Sequence, residues 1–145
     1  MSDDAPIHAG CVAIGGRGIL ILGPSGAGKS DLAIRLIDRG AKLVSDDYTL
    51  LRSEAGCLTA AAPAAIAGKL ELRGVGLVER AFEPEARIAL AIDLGLAPDR
   101  LPEPATRAWL GHAIPIFGLN GLEPSAPIKV EAALALHGLI LPCRP

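Results

Sequence analysis

The chain has 145 residues, half of them apolar and 21% charged, which fits a single folded domain over 1–145 and excludes a disordered chain. Aromatic residues make up only 3%, so the core is expected to consist of Ala, Val, Ile and Leu. Fourteen Lys and Arg against sixteen Asp and Glu give a net charge of -2, and with no basic run this speaks against a nucleic-acid partner.

The acidic start, Met1-Ser2-Asp3-Asp4, and the lack of an apolar run of about 18 residues speak against a signal peptide and a membrane partner. A cytoplasmic location is expected. Cys11, Cys57 and Cys143 are scattered without metal-ligand spacing. They are expected to be small buried hydrophobes, with neither a disulfide nor zinc.

In chain order, His8 to Ile14 and Gly18 to Leu22 read as two strands joined by the turn Gly15-Gly16-Arg17. A glycine-rich loop follows. From Lys29 to Arg39, Leu32, Ala33, Leu36 and Ile37 share one helical face, and Gly40 is placed to end the helix. Ala41 to Ser45 is a short strand that ends in Asp46-Asp47. Tyr48 to Leu51 and Gly56 to Ala60 suit a hairpin, whereas Ala61 to Gly68 carries no firm pattern.

Lys69 to Val78 begins as an alternating strand and then meets Gly74 and Gly76, the mark of a tight bend. Arg87 to Leu94 is the most continuous buried strand. Pro98, Pro102 and Pro104 make 95–107 a loop, and Pro127 to Gly138 is a helix with proline at its start. Strands mixed with two helices predict an α/β domain with a mixed sheet.

Gly23-Pro24-Ser25-Gly26-Ala27-Gly28-Lys29-Ser30 fills the phosphate-loop pattern G-x-x-x-x-G-K-[ST], with a strand before it and a helix after it. Such glycines let consecutive N–H groups converge on phosphate oxygens at the positive end of the helix. Lys29 brings a mobile charge to the outer phosphates, and the Ser30 hydroxyl is placed to bind Mg²⁺.

A nucleotide triphosphate site also needs a carboxylate at a strand end, and there are two candidates. Asp93 follows the longer apolar run, while Asp46-Asp47 offers two carboxylates that an extended chain would point to opposite sides. Glu71 and Arg73, two apart on one strand face, would make a surface ion pair unless the nearby glycines mark a site.

Three segments together resemble the HPr kinase/phosphorylases: His8 with its strand, Gly23 to Ser30 leading through Arg39-Gly40-Ala-Lys-Leu-Val-Ser-Asp46-Asp47, and Glu71-Leu-Arg-Gly-Val-Gly-Leu77. The resemblance covers roughly residues 7 to 94. It implies a P-loop nucleotide-binding fold of the phosphoenolpyruvate carboxykinase-like type. It also implies ATP- and Mg²⁺-dependent phosphorylation of a serine on HPr or a similar phosphocarrier of the phosphotransferase system, a reaction many members reverse with inorganic phosphate. The chain is similar to short members without the extra N-terminal domain, and a homo-oligomer is expected.

Carried over residue by residue, the resemblance makes Gly23, Ser25, Gly26, Ala27, Gly28, Lys29 and Ser30 the nucleotide-binding residues. Ser30, Asp46 and Glu71 would hold Mg²⁺, Asp47 would take the proton of the attacking serine, and His8 would stand beside the carboxylate pair. Asp99-Arg100-Leu101 resembles the stretch that carries the family's catalytic arginine. Residues 115–121, Ile-Pro-Ile-Phe-Gly-Leu-Asn, stand where long members have a Pro-Gly-Arg-Asn-like segment, so that arginine is absent. A small-molecule kinase and a non-catalytic nucleotide-binding module are the alternative readings.

Overall fold

The computed structural model describes residues 5–141. The first half holds β1 (Ala5–His8), β2 (Gly10–Ile14), β3 (Arg17–Leu22), α1 (Lys29–Asp38), β4 (Lys42–Ser45), β5 (Tyr48–Glu54) and β6 (Cys57–Ala61). A 3₁₀ turn (Ala64–Ile66) leads to β7 (Lys69–Leu72), β8 (Gly76–Glu79), β9 (Ala86–Asp93), β10 (Thr106–Trp109), β11 (His112–Gly118) and α2 (Ala126–His137). Nine strands form one mixed sheet in the order β1-β5-β6-β9-β3-β2-β4, with β11 on β9 and β10 on β11, and β7 and β8 make a separate hairpin. The mixed α/β fold with few helices expected from the sequence is the one observed.

β9 is the axis of the sheet. It runs parallel to β3 and β11 and antiparallel to β6. Its Ala86 and Arg87 are bonded to β6, whereas Ala91 to Asp93 are bonded to β11. The register with β3 slips between Gly18 and Ile19, so Ala89 is skipped. Ala89 and the next residue Leu90 therefore face the same core, as a bulge requires, while Ile88 and Ala91 face the other one. The carbonyl of Ala89, outside these pairings, accepts the N–H of Leu139 at 2.9 Å.

Burial on both faces explains the unbroken apolar run in β9. On one face Ile19, Ile21, Leu90 and Ile92 pack with Leu32 and Leu36 of α1 and with Val130 and Leu134 of α2. On the other, Leu20, Val44, Leu51, Leu58 and Ile114 make the second core. A bidentate ion pair from Arg39 to Glu131, at 2.8 and 3.0 Å, ties the end of α1 to α2.

Several expectations need correction. The strand expected over His8 to Ile14 breaks at Ala9, because β1 pairs with β5 while β2 pairs with β3 and β4. The segment 69–78 is a full hairpin. The stretch after the prolines holds two strands, β10 and β11, where no strand was expected. Cys11 is buried, with its thiol pushed up to about 12 by desolvation. Cys57 is buried but disulfide-bonded, so the expectation of no disulfide fails there, since spacing alone does not tell which cysteines meet. Cys143 lies outside the described residues. Among the described residues no helix is long and apolar enough to cross a membrane.

Candidate functional site

β3 hands the chain to the glycine-rich loop, and α1 begins immediately after it. Gly28 caps α1 in the left-handed region, with φ 94° and no side-chain capping bond. A Cβ there would stand 2.8 Å from Cδ2 of the exposed Leu122 side chain, which can turn away, so it is the backbone conformation that favours glycine. The first N–H groups of α1 have no carbonyl within the helix to bond, which suits a helix start to an anion. Lys29 is buried, and its ammonium donates to the carbonyls of Gly23 at 2.7 Å and Pro24 at 3.2 Å. The cation lies beneath the loop that it would serve.

Ser30, one residue further, donates its hydroxyl to Asp46 Oδ1 at 2.6 Å, and the other oxygen of Asp46 accepts the main-chain N–H of Glu71 at 3.0 Å. One buried carboxylate thus joins the phosphate loop, the end of β4 and the start of the β7–β8 hairpin. Asp47 turns the other way, its exposed carboxylate 2.8 Å from His8 Nε2. The His8 ring in turn lies 5.2 Å from that of Tyr48, its register partner.

The two carboxylates do diverge, but extended alternation is not the cause. Asp47 has a φ of 68°, a left-handed kink that costs a non-glycine residue about 1 kcal/mol or more. The kink is held by the Tyr48 N–H donating to the Asp46 carbonyl at 2.8 Å and by the Ser45 hydroxyl donating to the Tyr48 carbonyl.

Lys29, Ser30, Asp46, Asp47, Glu71 and Arg73 line a cavity of about 950 Å³. Exposed Val75, Leu77 and Leu122 give it an apolar rim. Glu71 and Arg73 make no ion pair with each other, because β7 ends at Leu72 and Arg73 enters the turn. Among the described residues Arg73 is the arginine that lines the cavity. Arg100 does not line it and makes no hydrogen bond or ion pair with a described residue. Sequence reasoning weighed Arg73 only as a partner for Glu71; its place on a hairpin turn over the phosphate loop appears in no local pattern.

The donor set can be tested against Mg²⁺. Among the described residues no group of three or more His, Cys, Asp or Glu side chains is placed to hold a metal. Mg²⁺ does not need one, since it commonly takes one or two carboxylates together with phosphate oxygens and water. The Ser30 hydroxyl, the Asp46 carboxylate bonded to it and the Glu71 side chain in the same cavity fit that habit.

The other strand-end carboxylate, Asp93, is committed elsewhere. Its Oδ1 accepts the N–H of Gly95 at 2.8 Å and its Oδ2 pairs with Arg107 at 3.1 Å. It does not line the cavity.

Residues 1–98 match the family model described as HPr Serine kinase C-terminal domain. The chain is similar to an HPr kinase/phosphorylase of Geobacillus sp. (strain WCH70), 41% identical over 98 residues, and to one of Clostridium botulinum, 39% identical over 79 residues. The matches take in 62% and 54% of this chain but only 32% and 26% of those relatives. The structure of the Hpr(Ser) kinase/phosphatase from Coxiella burnetii superposes with a TM-score of 0.80 at 27% identity, over 92% of this chain and 95% of that one.

Proposed function

Because the chain belongs to the HPr serine kinase C-terminal domain family, we propose that it is an ATP- and Mg²⁺-dependent protein-serine kinase acting on an HPr-like phosphocarrier. The reading includes a nucleotide-binding fold of the phosphoenolpyruvate carboxykinase-like type. The observation that carries it is the pair of roles at the end of β4: Asp46 is bonded to Ser30 of the phosphate loop, while Asp47 stays exposed beside His8.

In this reading the loop amides and Lys29 bind the outer phosphates, and Lys29 exchanges its loop carbonyls for phosphate oxygens. Mg²⁺, held by Ser30, Asp46 and Glu71, would neutralise phosphate charge. The acceptor serine oxygen bonds to the terminal phosphorus as the bond to the ADP oxygen breaks, and the hydroxyl proton passes to Asp47. His8 orients the Asp47 carboxylate by the bond it already makes. Arg73, in the cavity wall, is better placed than Arg100 to meet charge on the transferred group. The apolar rim of Val75, Leu77 and Leu122 suits contact with a protein acceptor more than with a small polar metabolite.

The test is incubation with radiolabelled ATP, Mg²⁺ and purified HPr-type carriers. Label on a carrier serine is the expected result. Label only on small metabolites, or binding without transfer, overturns the reading. Adding inorganic phosphate to the labelled carrier then tests reversal, with loss of label expected if the site also runs backward.

A further inference from the structure

Asp93 ends β9 directly beside the last residue of β3, Leu22, its register partner. Its side chain is only 13% exposed, and the turn that follows it packs on the phosphate loop. Leu94 donates to the Leu22 carbonyl at 2.8 Å. A Cβ built on Gly95 would meet Pro24 Cδ at 3.2 Å, and one built on Gly23 would meet Leu94 Cβ at 3.0 Å. Gly23 and Pro24 are the residues whose carbonyls hold Lys29.

A largely buried carboxylate at this point would repel a bound polyphosphate and distort the loop unless its charge were met. Arg107, on β10, meets it at 3.1 Å while its guanidinium lies 5.9 Å from the centre of the Trp109 ring. The β10–β11 hairpin thereby reaches the floor of the loop without lining the cavity.

We propose that Arg107 is a positioning residue for the nucleotide: by neutralising Asp93 it keeps the 93–95 turn seated against Gly23 and Pro24 and removes an opposing charge from beneath the phosphates. The inference rests on the nucleotide reading above and assigns a role to a residue outside the segment that matches the family. It also explains why Asp93, the better strand-end carboxylate by pattern, is not free to take a metal.

Calorimetric titration of the full chain with Mg·ATP tests it. Arg107→Gln should weaken binding about three- to tenfold, the range expected for one uncompensated charge in a partly screened setting. Adding Asp93→Asn should restore most of the lost affinity, since asparagine keeps an acceptor for the Gly95 N–H and removes the charge. A merely structural role for Arg107 would not be rescued in this way. Unchanged affinity in Arg107→Gln, or a loss that the double variant does not recover, overturns the proposal. If the unaltered chain shows no heat with Mg·ATP, it is the nucleotide reading that fails.

Discussion

Two strand ends carry carboxylates beside the phosphate loop, and their surroundings divide the work between them. At the end of β4, Asp46 and Asp47 meet a hydroxyl, a main-chain N–H and an imidazole, partners that leave carboxylate lone pairs available to incoming groups. At the end of β9, Asp93 meets a guanidinium and closes a turn on itself. In the proposed reading the first arrangement holds metal and takes a proton. The second can only hold shape, because a carboxylate whose charge is met by arginine has little left to offer a cation. Proximity to the loop is therefore a weaker indicator of chemistry than the identity of the hydrogen-bond partners.

The sharpest way to break this division is Asp47→Asn. Transfer should fall about 10²- to 10⁴-fold while Mg·ATP still binds, as expected for loss of a general base. Near-normal turnover would remove Asp47 from that role. Asparagine is well suited here because it tolerates the left-handed backbone that Asp47 adopts. Next in size, Lys29→Ala should weaken nucleotide binding about ten- to a hundredfold, since a charge-assisted hydrogen bond is lost; calorimetry reads the change. Glu71→Gln should raise the Mg²⁺ concentration for half-maximal transfer about tenfold, and an unchanged metal titration would make Glu71 a structural residue. The smallest expected effect is at Cys11. With burial pushing its thiol up to about 12, it should stay unalkylated by iodoacetamide at pH 8 until the protein is unfolded, as mass spectrometry would show.

The parts of the fold set by local pattern were legible in the sequence. The loop, α1 with Gly40 after it, β4 and β9 follow from periodicity and glycine placement, and α2 falls within a residue of its expected span. β10 and β11 were not legible, because prolines crowd the segment before them and Pro115 lies inside β11. Proline is tolerated there because the pairing of β11 with β9 begins only at Ile116. The grouping of Ser30, Asp46, Asp47 and Glu71 around one cavity, with His8 bonded to Asp47, was anticipated through family resemblance more than through spacing, since their meeting depends on which strands pair. The kink at Asp47 depends on bonds to Tyr48 that no single-residue preference announces. Arg73 and Arg107 were missed as site residues for a similar reason: one lies on a turn and the other acts through a carboxylate on a different strand.

The hydrogen bond from Leu139 to Ala89 makes the segment after α2 a stopper for the middle of the sheet. Releasing it would break that bond and uncover the Ala89 carbonyl, a net loss of about 0.5–1.5 kcal/mol for the bond alone. Deuterium uptake at the Leu139 amide should then report release of this segment from the central strand, read at a position far along the sequence from the loop.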